Sequence, residues 1–245
     1  DVHLDPSTRA DHLAPNHTNK WLGNKNVRKA INMAIDRDAI VKLVTFGYGK
    51  PANSFLPAGM LYCNPDNKAY PYDPEQAKAL LAQEGAEDLS FVLTHEAGSK
   101  VDEQLAIMVQ QQLAQVGIDF SLRKVDPAQT IPVLIDGDYE LSPVYWTNDV
   151  IDPDQKTTFS MGGDSNNNFF TRYANPEAAK LVDQARVETD IDRAHQGRDV
   201  GLAFAEPAQD RVLAAAAVAD VVLHEARRLA RPHEPPVRRH HRHLG

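Results

Sequence analysis

Ile118-Asp119-Phe120-Ser121-Leu122, Asp126-Pro127 and the run Tyr139-Glu140-Leu141-Ser142-Pro143-Val144-Tyr145-Trp146 together decide the fold. The first segment alternates apolar and polar residues as a strand does. Asp126-Pro127 pairs a capping carboxylate with proline at a first helical position, predicting a helix through Val133, Leu134 and Ile135 that stops at Asp136-Gly137. Tyr139 to Trp146 reads as the next strand. Upstream, Phe91-Val92-Leu93-Thr94 predicts a short strand, and Val101, Leu105, Met108, Val109, Leu113 and Val116 mark an amphipathic helix ended by Gly117. Strand, helix, strand, helix, strand is the order of an α/β sheet covered by helices.

The same signals extend outward. Val27, Ala30, Ile31, Ala34 and Ile35 follow helical spacing, and Asp36 is placed to cap a short helix carrying Ile40, Val41 and Val44. Asp73-Pro74-Glu75 starts a helix with Ala77, Leu80 and Leu81 on its buried stripe and Gly85 at its end. Asn175-Pro176-Glu177 starts another, with Ala178, Leu181, Val182 and Ala185 as the stripe. Residues 1–23 are polar and broken by Pro6, Pro15 and Gly23, so they are expected to be mostly loop. Residues 51–72, with four prolines and Gly59, read as a long irregular connection.

The chain has 245 residues, 42% of them hydrophobic, enough for a packed core in one large or two small domains. No run of about 18 apolar residues suggests a membrane span. A net charge of −8 argues against nonspecific binding to nucleic acid or anionic lipid. The single cysteine, Cys63, cannot form an internal disulfide. Residues 1–193 carry 18 Lys and Arg against 28 Asp and Glu, whereas 194–245 carry 8 against 6, with six of the ten histidines and no lysine. This break predicts a boundary near Arg193, with a divergent, disordered or incidental tail beyond it.

Candidate chemistry concentrates after Trp146, in Thr147-Asn148-Asp149-Val150-Ile151-Asp152-Pro153-Asp154. Paired carboxylates could work as acid and base or hold a metal, and Asp138 and Glu140 lie at the preceding strand's start. The calcium-loop pattern is absent, and Asp152-Pro153 reads first as a helix start. Asp149 lies between a strand end and the next helix, where an open α/β sheet presents its ligand groups. Tyr145 and Trp146 could flank a ligand or occupy core and surface on alternating faces. His95 reads as a solvated loop residue. His233, His240, His241 and His243 could bind a metal, but their arginine neighbours would repel a cation. The sequence contains no Gly-x-Ser-x-Gly, no zinc-protease helix motif and no phosphate-binding glycine loop. Gly162-Gly163 to Asn168 is a polar loop of the kind that lines sites or merely connects elements.

Four segments taken in order resemble a family. They are Asn26-Val27-Arg28-Lys29-Ala30-Ile31-Asn32-Met33-Ala34-Ile35-Asp36-Arg37; Gly47-Tyr48-Gly49 with Leu56-Pro57-Ala58-Gly59-Met60; Tyr72-Asp73-Pro74-Glu75-Gln76-Ala77-Lys78-Ala79-Leu80-Leu81; and Trp146-Thr147-Asn148-Asp149 with Asp152-Pro153-Asp154. Over about residues 10–193 the chain resembles the solute-binding proteins of dipeptide, oligopeptide and nickel ABC transporters. The resemblance implies a periplasmic binding protein type II-like α/β fold whose two lobes close on a ligand by a hinge. This chain would be mostly one lobe, with residues 1–193 as the second lobe.

The resemblance also implies a function without turnover. A peptide or related small solute would be captured for import by permease subunits, and the protein would be a monomer outside the cytoplasm, touching the membrane only indirectly. Asp149 would meet the peptide α-amino group, and the strand around Trp146, with Tyr145, Thr147 and Asn148, would line the ligand. No cofactor is implied. The start of the chain has no signal-peptide pattern, the first lobe is expected to be missing, and a frame change after Arg193 in a GC-rich gene would explain the tail. The competing readings are a metal-dependent hydrolase using the aspartates and tail histidines, and a nickel-chelate-binding relative.

Overall fold

The computed structural model describes residues 9–52, 56, 68–147, 149, 152, 154–161 and 171–187. The elements run β1 (Ala10–Pro15), α1 (Lys25–Ala34), α2 (Arg37–Val44), α3 (Pro74–Gln83), β2 (Leu89–Glu96), α4 (Lys100–Ala114), β3 (Ile118–Val125), α5 (Pro127–Asp136), β4 (Leu141–Trp146), α6 (Asp154–Met161) and α7 (Pro176–Val187). Most of the connection at 51–72, the glycine loop at 162–168, Cys63 and the whole tail fall outside the described residues.

Helix starts follow the capping chemistry. Asp36 Oδ1 accepts from the Ala39 N–H at 2.9 Å, Asp73 Oδ1 from Gln76 at 2.9 Å, and Asp126 Oδ1 from Ala128 at 2.9 Å. Each oxygen satisfies a first-turn amide that has no helical partner. Asn175 does the same for Glu177 and Ala178 at the start of α7. Gly137 ends α5 at φ 74°, a left-handed conformation that costs glycine little.

The sheet order is β1-β4-β2-β3. β2 runs parallel to β3 and β4, while β1 is antiparallel to β4 with Ala10 opposite Trp146 and Pro15 opposite Leu141. The connection through α4 carries the chain from β2 to β3. The connection through α5 then returns it past β2 to β4. Right-handed crossovers in opposite directions place their helices on opposite faces. The packing agrees. Leu13, Leu93 and Leu141 join the main core with α1 to α4, whereas Ala14 and Val144 pack with Leu134 of α5 and Tyr139.

Three expectations need correction. Within 1–23, Ala10–Pro15 is a strand rather than loop, with Leu13 and Ala14 fully buried. Its charges misled, because an edge strand covered on both faces tolerates Asp11 beside Arg9 and Pro15 at its end. β2 and β3 are longer than the apolar runs suggested, extending to Glu96 and Val125, since ladder pairing continues past the apolar residues. His95 is therefore not a loop residue: it lies in β2 with 2% exposure, its Nδ1 3.2 Å from the Glu96 carbonyl oxygen.

Candidate ligand cleft at the strand ends

The two crossovers diverge around β2, so a crevice opens beyond the carboxyl ends of β2 and β4. Open α/β sheets bind ligands at such a switch point, because no helix can cover it from both sides. A cleft of about 350 Å³ occupies this place. Ile40, Val44, Val101 and Leu105 line one wall, and Ile131 and Leu134 the other. Glu96, Asp11, His12 and Asp102 supply polar groups, and Tyr145, Trp146 and Thr147 form the strand-end rim. An apolar cleft of this size with a few convergent polar groups has the build of a small-molecule site.

The predicted residues divide. Tyr145, Trp146 and Thr147 all line the cleft. Tyr145 is exposed, with the Arg9 guanidinium 4.0 Å from its ring centroid, an attractive cation–π arrangement. Arg9 also bridges to Asp11 at 2.8 Å. Asp149, two residues after Thr147, is exposed and is not among the residues that line the cleft. Gln155 Nε2 donates to its Oδ2 at 2.6 Å, while the Asp149 N–H donates to Gln155 Oε1 at 3.0 Å. Asn148 lies outside the described residues.

The other acids have structural work. Asp152 Oδ1 accepts from the Asp154 N–H at 2.7 Å and so caps α6. Asp138 pairs with Arg123 at 3.1 Å. Glu140 accepts from Asn19 Nδ2 at 2.8 Å and from the Val92 N–H at 2.7 Å, stapling the loop before α1 to β2. Among the described residues, no three His, Cys, Asp or Glu side chains gather as a metal-ligand set. The tail histidines lie outside them.

Sequence reading missed polar groups that line the cleft, among them His12 and Asp102, and a buried lysine near His12 and Asp11. His12 is buried, and desolvation, then the nearby Lys156, pull its pKa down to about 3, so it is neutral. Lys156 of α6 is 1% exposed, and burial lowers its pKa to about 7 against the attraction of Asp11. Asp102, in the first turn of α4, has its pKa raised by burial, partly offset by the Ser99 hydroxyl and reinforced by Glu96 and Asp11. Reading 1–23 as loop hid His12 and Asp11. A lysine in a short polar helix gave no sequence signal of burial.

Known proteins match this architecture. The model of the bacterial extracellular solute-binding proteins, family 5 Middle, matches residues 1–194. The dipeptide-binding protein of Escherichia coli (strain K12) is 29% identical over 192 residues, 76% of this chain and 36% of that protein. A dipeptide binding protein from Pseudoalteromonas sp. SM9913, solved with Met-Leu, superposes at TM-score 0.81 with 21% identity, over 89% of this chain and 44% of that one. The ABC transporter-associated periplasmic binding protein DppA from Helicobacter pylori, solved with the peptide STSA, superposes at 0.77 with 23% identity, over 87% and 42%. The chain thus spans about a third of the E. coli protein and less than half of these structures. They share the type II-like periplasmic binding fold with it. No helix among the described residues is long and apolar enough to cross a membrane. By its family-model match, the chain belongs to the bacterial extracellular solute-binding proteins, family 5.

Proposed function

We propose that this chain is the ligand-holding lobe of the substrate-binding component of an ABC transporter, and that its ligand is a peptide with a free amino terminus. The observation that carries this reading is the meeting of Tyr145, Trp146 and Thr147 with an apolar cleft at the sheet's switch point, inside a family-5 match. In it, Asp149 pairs with the peptide ammonium, a charge-assisted bond stronger than a neutral one. The strand end at Tyr145, Trp146 and Thr147, with Asn148 as a further ligand-lining candidate, contacts the peptide backbone, and the apolar walls receive side chains. Residues 1–193 form this second lobe, and residues 194–245 are not part of it. The chain acts as a monomer outside the cytoplasm, without turnover or cofactor, and reaches the membrane only through permease subunits.

The relatives named as dipeptide-binding proteins support this reading. Nothing in the described donor geometry favours a metal-dependent hydrolase or a nickel-chelate binder. The test is an NMR titration of the 15N-labelled chain with a mixed-sequence dipeptide pool. Saturable shifts of the Trp146 indole and Thr147 amide support peptide capture at the cleft. Their absence at millimolar peptide removes it.

A further inference from the structure

We propose that Gln155 is a positioning residue that orients the Asp149 carboxylate for a ligand ammonium. The inference rests on the peptide-binding reading above and adds to it a residue from the next helix. Asp149 is exposed, and an exposed aspartate side chain turns freely between rotamers unless something holds it. Here one side chain holds it twice. Gln155 Nε2 donates to Asp149 Oδ2 at 2.6 Å, and Gln155 Oε1 accepts the Asp149 main-chain N–H at 3.0 Å. A glutamine amide is suited to this, because it presents one donor and one acceptor in a fixed plane. The clasp fixes both the carboxylate and the backbone that carries it. Among the described residues, Oδ1 is left without a hydrogen bond, available to a cation.

The clasp is itself anchored. Gln155 lies in the first turn of α6, which Asp152 caps at 2.7 Å. Asp154 Oδ1 accepts from Thr158 Oγ1 at 3.3 Å and pairs with Arg186 Nε of α7 at 3.2 Å. Lys156, the next residue, is buried beside Asp11 and His12 of β1. The orientation of Asp149 is thus referred, through Gln155 and α6, to the strand that borders the cleft. Preorganising an acceptor in this way removes an ordering cost at binding.

The experiment compares a mixed-sequence dipeptide pool with the same pool N-acetylated, titrated by NMR into the whole chain and three variants: Gln155→Met, Asp149→Asn and the double. Methionine keeps the length of glutamine and removes both bonds. The unsubstituted chain is expected to prefer the free-amine pool, and Gln155→Met to lose about three- to tenfold of that preference. Its affinity for the acetylated pool should stay unchanged. In the Asp149→Asn background the same substitution should cost no further preference, the signature of one residue acting through another. A merely structural role would lower affinity for both pools alike and persist in the double variant, which overturns the proposal. Full preference retained by Gln155→Met overturns the positioning role alone. No preference in the unsubstituted chain overturns the ammonium site, and the positioning role falls with it.

Discussion

The side-chain amide of Asn16 donates to the carbonyl oxygen of Tyr139 at 3.0 Å, across 123 positions of sequence. The same nitrogen donates to the Gly137 carbonyl at 3.1 Å, and Asn16 Oδ1 accepts from the Thr18 N–H at 3.1 Å and hydroxyl at 2.7 Å. One buried amide thereby closes the turn after β1 onto the turn before β4. Asn16→Ala leaves two carbonyls without this donor and should cost about 2–4 kcal/mol. Urea unfolding should show a lower midpoint at unchanged slope. A midpoint within error of the parent would show that water replaces the amide.

Lys156 and His12 give stability a pH dependence with a definite sign. Both have folded pKa values below their ordinary ones, to about 7 and about 3, and burial is the first cause of each. A depressed value means that the unfolded chain holds more protons across the gap, so stability rises with pH there. For Lys156 the rise runs from about pH 7 to about 10.5. For His12 stability is full above 6.5 and falls as pH drops toward 3. Lys156→Met should flatten the upper rise and stabilise the fold at pH 6 by about 1–4 kcal/mol. Thermal melts at pH 6, 7.5 and 9.5 test this, and parallel profiles for parent and variant would sink it.

Gly137→Ala combines two penalties. The residue sits at φ 74°, and an added Cβ would lie 2.2 Å from Arg172 Nε. Arg172 can swing aside, but it then gives up its hydrogen bond to the Ile135 carbonyl at the end of α5. The expected loss is about 1–3 kcal/mol, read from the melting temperature. An unchanged melting temperature would mean that the α5 end adjusts without strain.

Asp149→Asn tests the ammonium site. The variant should weaken binding of a peptide with a free amino terminus by about 1.5–3 kcal/mol, the worth of a hydrogen bond to a charged group. Calorimetry on the same peptide, free and acetylated, reads the difference. Equal affinities for parent and variant would remove Asp149 from the site.

Much of this was legible in the sequence because it depends on local chemistry. Asp36, Asp73, Asp126 and Asn175 each declare a helix start within three residues. Buried faces at Val27, Ala30 and Ile31, or Leu105, Val109 and Leu113, are fixed by period. Tyr145 and Trp146 end the predicted strand and Thr147 follows it, so the strand reading led to the cleft's rim. β1 was not, because six residues with two polar side chains and a terminal proline lack a strand signal. Only pairing with residues 141–146 makes them one. The meeting of the cleft residues His12 and Asp11 with buried Lys156 was hidden for the same reason. His12, Asp11 and Lys156 come from opposite ends of the described chain, and no local pattern announces that they meet. Asp138 and Glu140 show the converse, since carboxylates close in sequence turned out to serve Arg123, Asn19 and Val92 separately.

The antiparallel pairing of β1 with β4 also bears on how the chain acquires its shape during synthesis. At about 5–20 residues per second, the ribosome finishes β4 roughly 7–25 s after β1. Throughout that delay β1 has no partner strand, while β2, α4 and β3 can assemble from nearer neighbours. A long, uncharged apolar segment left waiting would invite pairing with other nascent chains. Ala10–Pro15 is short, carries Asp11, and ends in proline, features that make it a poor template for such encounters. The residues that disguise this strand to a reader of the sequence are also those that protect it while it waits.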